Sequence, residues 1–313
     1  MFWASIILPE EMGEIMGLAR NRWLMLLLLM ALSCAPVRSQ EAEEVIKVDI
    51  SLVTVNVSVT DARGRHLSGL RAEDFLVTDE GDPVRLDFFN TQGSASIIFV
   101  VDMSSSMRGE KWQRLKAGMK KFLTTAREGN DYTLIAFSDA PQLIASSIGA
   151  EELWQKFSGL KPSGQTALYD ALLLGLSALE QVAQRHKALV LLSDGQDNSS
   201  HAGLPHVQQE VLTHRASIYT VGILLHKHDL FVWEHDGREL LNQLAAATGG
   251  LVLFPALEEI RGVLETINAD LSNQYSLSYY SPSRAPGWRR IQVNLTRDSS
   301  RLNLRYQQRY LIR

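Results

Sequence analysis

The chain of 313 residues has almost no cysteine, no long apolar run and no strong charge of either sign. Its one cysteine, Cys34, excludes a disulfide within the chain. The net charge of −4 at pH 7, without a basic stripe interleaved with aromatic residues, does not support nucleic-acid binding. A phosphate-binding glycine loop, a dinucleotide fingerprint and a serine-hydrolase elbow are also missing. These absences favour a binding module over an enzyme.

The longest apolar run lies near the amino end and is too short to span a bilayer. It covers residues 23–32 and follows two arginines, as the apolar core of a signal peptide does. We expect residues 1–39 to be a signal peptide, with the mature chain exported to the periplasm or beyond the cell. Cleavage there removes Cys34. An uncleaved anchor is the alternative, and it is the only membrane contact we expect. Acidic residues before Met16 make Met16 a candidate for the true start.

An apolar run over residues 97–101 ends in a carboxylate. Such a run is typical of a strand buried on both faces of a parallel sheet, and the apolar stripe from Trp112 onward predicts a crossover helix. The loop between them carries Asp102, Ser104 and Ser106, and it lies where open α/β sheets bind ligands. Carboxylate and hydroxyl oxygens suit Mg²⁺, Mn²⁺ or Ca²⁺. Taken alone the pattern is weak, because serines are also ordinary helix caps and turn formers.

Two more loops with oxygen-bearing side chains follow, one at the start of a predicted helix and one at the end of a predicted strand. Thr166 precedes an apolar helix, and a second buried strand, residues 187–192, leads to Asp194. In a doubly wound sheet the first strand and the strand after the topological reversal are neighbours, so Asp102 and Asp194 should face each other with Thr166 beside them. Strands and helices alternate across residues 93–273, which predicts an α/β domain with a doubly wound, mostly parallel sheet.

On both sides of this domain, apolar and polar residues alternate with a period of two. In the segment 45–92, valines occupy every second position from Val53 to Val59, and the segment 274–313 returns to the same alternation. Neither segment is long enough to close a core of its own. We therefore expect the two segments to pair into one small antiparallel β sandwich, split around the α/β domain.

The three loops, in this order, resemble the metal-ion-dependent adhesion site (MIDAS) of von Willebrand factor type A (VWA) domains. The resemblance implies that Ser104, Ser106 and Thr166 bind a divalent cation such as Mg²⁺ directly, and that Asp102 and Asp194 often act through water. It also implies a Rossmann-like fold and a protein partner whose carboxylate completes the coordination shell. On this basis we expect a metal-dependent, adhesion-type binding module.

The segments outside the α/β domain are similar to the exported "VWFA-related" proteins of soil Acidobacteria. The similar stretches are residues 57–64, 70–75, 274–275 and 288–289. This second resemblance covers nearly the whole mature chain. It implies the two-part architecture and gives little further information about function.

Other interpretations remain open beside the adhesion module. One is a structural envelope protein with a silent metal site, and another is a metal-dependent hydrolase, although Ser104 cannot supply the second carboxylate that aspartyl phosphotransferases need. His226, His228 and His235 could form a zinc site, but a solvated loop is favoured there. Asp139 follows a strand, and we expect a turn former and not a ligand.

Overall fold

The computed structural model describes residues 52–91, 93–182, 186–223, 232–297 and 299–312, without the side chains of 232–236. The predicted signal peptide, His226, His228 and the side chain of His235 lie outside the described residues. Within those ranges, no helix is long and apolar enough to cross a membrane.

Fourteen strands and six α-helices make up the described chain. The strands are β1 (Leu52–Asp61), β2 (Phe75–Asp79), β3 (Asp82–Val84), β4 (Phe88–Asn90), β5 (Ala95–Asp102), β6 (Asp131–Phe137), β7 (Pro141–Ile148), β8 (His186–Ser193), β9 (Ser217–Gly222), β10 (Val252–Leu253), β11 (Tyr275–Tyr280), β12 (Gly287–Leu295), β13 (Leu302–Arg305) and β14 (Arg309–Ile312). The helices are α1 (Glu110–Thr124), α2 (Ala150–Ser158), α3 (Leu168–Gln181), α4 (Leu204–Thr213), α5 (Val232–Thr248) and α6 (Ile260–Ser272).

A six-stranded sheet in the order β10-β9-β8-β5-β6-β7 forms the centre of the α/β domain. All neighbouring strands run parallel except β7, which is antiparallel to β6 at the edge. β5 is buried at every position, and its Phe99 lies between Val190 of β8 and Leu134 of β6. The predicted neighbours β5 and β8 are therefore confirmed, which places the ends of both strands at one edge of the sheet.

Helices cover both faces of this sheet, as a doubly wound fold requires. Side chains of α1, α2 and α6 share one apolar core, and those of α3, α4 and α5 share the other. α1 and α6 approach closely at Gly118, where an added Cβ would lie 2.9 Å from Leu264 Cδ1. A glycine inside a helix costs about 1 kcal/mol relative to alanine, and here it permits that approach.

The two flanking segments form one antiparallel β sandwich, as predicted. One sheet has the order β13-β1-β11-β4 and the other β14-β12-β2-β3, so each contains strands from both segments. In the first sheet Val55 of β1 faces Leu277 of β11, and in the second Val77 of β2 faces Val293 of β12. The inward side chains of both sheets build a third apolar core.

A buried polar network joins the sandwich to the α/β domain. Asp270 of α6 accepts hydrogen bonds from Ser58 Oγ of β1 (2.7 Å), Tyr219 OH of β9 (2.7 Å) and Arg305 Nη2 of β13 (2.6 Å). Tyr219 OH also accepts a hydrogen bond from Gln274 Nε2 (2.8 Å), whose Oε1 lies 2.7 Å from Nε2 of His186, the first residue of β8. The sandwich thus contacts β8 at the end opposite the predicted metal site.

Three local features of the fold differ from what the sequence pattern indicates. The pattern predicts one strand over residues 84–89, but the chain forms β3 and β4 in different sheets, because Glu80 and Gly81 make a tight turn with positive φ that pairs β3 with β2. Helix α5 begins at Val232, inside the charged segment 225–238 expected to be a loop. Charged residues are compatible with the exposed face of a helix. β14 was not predicted, because Leu311 lies between the buried Tyr310 and Ile312, so apolar and polar residues do not alternate there.

Candidate metal centre

The loops after β5 and β8 bring together four of the five predicted side chains. Ser104 Oγ lies 2.9 Å from Ser106 Oγ, and Ser106 Oγ donates a hydrogen bond to Asp194 Oδ2 (2.8 Å). Asp102 Oδ1 accepts a hydrogen bond from the backbone N–H of Ser104 (2.8 Å). A 3₁₀ turn at Ser105–Met107, with Ser104 as its N-cap, carries the two hydroxyls.

Asp102 is fully buried and is held by hydrogen bonds to both of its oxygens. Ser193 Oγ, from the end of the neighbouring strand β8, donates to Asp102 Oδ2 (2.7 Å). Burial, with the nearby charge of Asp194 as the second cause, raises the pKa of Asp102 to about 6. Burial and the charge of Asp194 thus destabilise the ionised form of Asp102, which a bound cation would relieve.

Thr166 lies on a third loop, which is joined to the first through the backbone. The N–H of Ser105 donates to the carbonyl of Gly164 (3.0 Å), and the N–H of Ser163 donates to the carbonyl of Met103 (2.6 Å). Thr166 is buried. Across the described residues, no hydrogen bond links its hydroxyl to the other four side chains. The structure therefore brings the Thr166 loop alongside the site without a direct side-chain bond.

Asp139 and Asn198 fix the loop that carries Thr166. Asp139 Oδ1 accepts the backbone N–H of Gln165 (2.9 Å), and Asn198 Oδ1 accepts the backbone N–H of Thr166 (2.8 Å). Gly164 has a φ of +84°, and a Cβ there would lie 2.6 Å from Asp139 Oδ2. Asp139 therefore does more than form a turn, because it supports the Thr166 loop.

Gly195 determines the path of the chain directly after Asp194. Its φ is +84°, which side chains rarely tolerate, and a Cβ would lie 2.8 Å from the carbonyl oxygen of Gly237 in α5. The loop after β8 can therefore pack against α5 only with glycine at this position. This contact fixes the backbone beside the Asp194 carboxylate.

Lys111, in the first turn of α1, also lies at the site, although the sequence pattern did not predict it. Its Nζ lies 3.7 Å from Asp194 Oδ2, and the two side chains are only 5% and 6% exposed. The start of α1 follows the loop of Ser104 and Ser106, so a side chain of its first turn reaches the site. A cation near a helix N-terminus is opposed by the helix dipole, and this local conflict is the sequence signal that could have revealed it.

The donor set offers only oxygens, from hydroxyls and carboxylates, which suits a hard divalent cation. Asp102, Ser104 and Asp194 are buried, whereas Ser106 is exposed, so the site opens to solvent at Ser106. In the part of the chain that the structure describes, no group of three or more His, Cys, Asp or Glu residues could hold a metal ion. A cation at this site would therefore need the hydroxyls as well as the two carboxylates.

Comparison with known proteins connects this geometry to a family. Residues 97–196 match the model of the von Willebrand factor type A domain. Inter-alpha-trypsin inhibitor heavy chain H3 of Bos taurus is 26% identical over 141 residues, which cover 40% of this chain and 16% of that protein. The chain thus spans less than a fifth of that relative's length.

Two solved structures are also similar. A von Willebrand factor type A structure from Catenulispora acidiphila is 14% identical, with a TM-score of 0.47 over 85% of this chain and 74% of that chain. Proximal thread matrix protein 1 from the mussel byssus, with a zinc-occupied MIDAS motif, is 20% identical, with a TM-score of 0.47 over 62% of this chain and 49% of that chain.

The family match covers the whole predicted site. The matched residues include all of β8, β5 from residue 97 onward, and the five predicted side chains Asp102, Ser104, Ser106, Thr166 and Asp194. The resemblance of the three loops to von Willebrand factor type A domains is confirmed. Residues 97–196, which hold all five predicted site residues, thus match the von Willebrand factor type A domain.

Proposed function

We propose that this protein binds a partner through a divalent cation, Mg²⁺ or a similar ion, held by Asp102, Ser104, Ser106, Thr166 and Asp194. The observation that supports the proposal is the hydrogen-bonded group of Asp194, Ser106 and Ser104, with buried Asp102 beside it. When bound, the cation supplies positive charge and an open coordination position for a carboxylate of the partner.

The chain's own residues have distinct parts in this proposal. The exposed Ser106 lies where a partner can approach, while Asp102 and Asp194 supply the negative charge that retains a cation. Ser193 orients Asp102, and Asp139 with Asn198 holds the loop that presents Thr166. Type A domains are generally binding modules that mediate protein–protein interaction and not enzymes, which supports a protein partner with an acidic side chain.

The first test is a calorimetric titration of the full chain with Mn²⁺ in the wild type, Ser106→Ala and Ser105→Ala. Ser105 is exposed and adjacent to Ser106, so its hydroxyl serves as the matched control. We expect Ser106→Ala to lose at least tenfold in Mn²⁺ affinity, whereas Ser105→Ala keeps the wild-type affinity. Equal losses in both variants, or no binding by the wild type, would refute the proposed site.

The second test separates an adhesion module from a silent metal site. Poly-L-glutamate is immobilised as a carboxylate probe, and the full chain is passed over it with Mg²⁺ and then with chelator. We expect binding that chelator abolishes and that Ser106→Ala lacks. A wild type that binds Mn²⁺ but shows no chelator-sensitive binding to the probe would favour the structural envelope protein instead.

We also propose that the protein is exported. The support is the apolar segment after two arginines within residues 1–39, which the described residues do not include. Amino-terminal sequencing of the protein from its native cells should give a start near Gln40. A start at or before Met16 would instead indicate an uncleaved anchor.

A further inference from the structure

Lys111 is the one cation that the described structure places against the proposed metal site. Its ammonium lies 3.7 Å from Asp194 Oδ2, the same oxygen that accepts the hydrogen bond from Ser106 Oγ. The contact is almost completely shielded from water, because both side chains are close to full burial. Lysine is rarely buried to this extent without a partner, and here the partner is a carboxylate of the site.

The position of Lys111 is unfavourable for α1 itself. A positive charge in the first turn of a helix is opposed by the helix dipole, and burial removes the hydration of the ammonium. Lys116, Lys120 and Lys121 of the same helix are not buried in this way. The stability of the helix therefore does not explain why Lys111 is buried at this position.

The charges around the site provide that explanation. Asp102 and Asp194 contribute two negative charges and Lys111 contributes one positive charge, so the site without a metal carries a net charge of about −1 when both carboxylates are ionised. A divalent cation changes the net charge to about +1, which one carboxylate of a ligand then neutralises. Without Lys111 the loaded site would already be neutral, and it would attract an anionic ligand less strongly.

We propose that Lys111 is a fixed counter-charge that weakens cation binding and keeps the loaded site positive, so that the site selects a singly charged anionic ligand. This inference rests on the proposed function, because it assigns a role to Lys111 only at a site that binds a divalent cation. Lys111 acts through its ion pair with Asp194 and contributes no coordinating oxygen.

The test compares full-chain wild type, Lys111→Met, Lys111→Arg and the control Lys116→Met, which removes a charge from the same helix away from the site. Mn²⁺ affinity is measured by calorimetry, without any ligand. We expect Lys111→Met to bind Mn²⁺ at least tenfold more tightly than the wild type, and Lys111→Arg to restore the weaker binding. We expect the Mn²⁺-saturated Lys111→Met to bind poly-L-glutamate at least fivefold more weakly.

Unchanged or weaker Mn²⁺ binding by Lys111→Met would overturn the inference while leaving the proposed function intact. A wild type that does not bind Mn²⁺ would refute the proposed function itself, so the two failures are distinguishable. If Lys111→Met does not fold, a wild-type crystal structure with Mn²⁺ gives the answer. An ammonium still within 4 Å of the Asp194 carboxylate supports the counter-charge, and an ammonium displaced into solvent overturns it.

Discussion

Asp102→Asn should stabilise the metal-free protein while it abolishes stabilisation by metal. Burial and the charge of Asp194 raise the pKa of Asp102 from 3.8 to about 6. Each pKa unit corresponds to about 1.4 kcal/mol, so ionised Asp102 lowers the free energy of unfolding by about 3 kcal/mol above pH 6. Asparagine removes this charge and can still accept the Ser104 N–H with its side-chain oxygen.

The pH dependence of the stabilisation by Asp102→Asn follows from the direction of the pKa shift of Asp102. A raised carboxyl pKa means that the folded state binds more protons than the unfolded state between about pH 4 and pH 6. The stability of the wild type in chelator therefore falls as the pH rises through that window, and the advantage of Asp102→Asn grows over the same window.

Urea unfolding in chelator at about pH 4 and about pH 8 measures the difference, and the exposed Glu128→Gln serves as control. Addition of Mg²⁺ should stabilise the wild type and leave Asp102→Asn unchanged. A variant that is less stable than the wild type in chelator at pH 8, or a gain of equal size at pH 4, would refute the argument from buried charge repulsion.

Three further predictions concern the support of the fold and of the site. Burial lowers the pKa of His186, so the contribution of the neutral imidazole to stability is complete above about pH 6.5 and is lost as the pH falls below that value. The fall in Tm between about pH 7.5 and pH 5.5 should therefore be smaller in His186→Gln than in the wild type. An equal fall in both proteins would contradict this prediction. Asp270→Asn weakens the pair with Arg305 and should cost about 3 kcal/mol in urea unfolding, because it leaves a partly buried guanidinium without its counter-charge; a loss below about 1 kcal/mol would show that the pair is dispensable. Asp139→Ala removes the hydrogen bond that holds the loop of Thr166 and should lower Mn²⁺ affinity about tenfold in calorimetry, as is usual when a residue that orients a metal ligand is lost. Unchanged affinity would show that the loop keeps its position without Asp139.

Much of the fold followed from the hydrophobic pattern because the core strands are unambiguous. β5 and β8 each contain five consecutive apolar residues, 97–101 and 188–192, which is typical of burial on both faces. The pattern over residues 84–89 could not show that the chain crosses there from one sheet to the other. The choice of sheet depends on partners far away in sequence, because β4 pairs with β11.

The candidate site was predictable to the extent that its residues lie at strand ends. Asp102 and Asp194 follow buried strands, so topology alone places them together. Lys111 was missed because the stripe of α1 was judged by its apolar residues, and a lysine beside Trp112 resembles an ordinary charge at a helix start. Asp139 was assigned to a turn because local sequence does not reveal that its carboxylate reaches the backbone of Gln165.

The pairing of β1 with β11 has a mechanical consequence. Leu52, at the start of β1, pairs with Tyr280 at the end of β11, and Tyr275, which follows α6, pairs with Val57. A force applied to the chain at Leu52 and opposed through α6 at Tyr275 would therefore draw the two strands in opposite directions along their length. All six residue pairs would share that load at once. A force in this direction therefore loads the β1–β11 pair in shear.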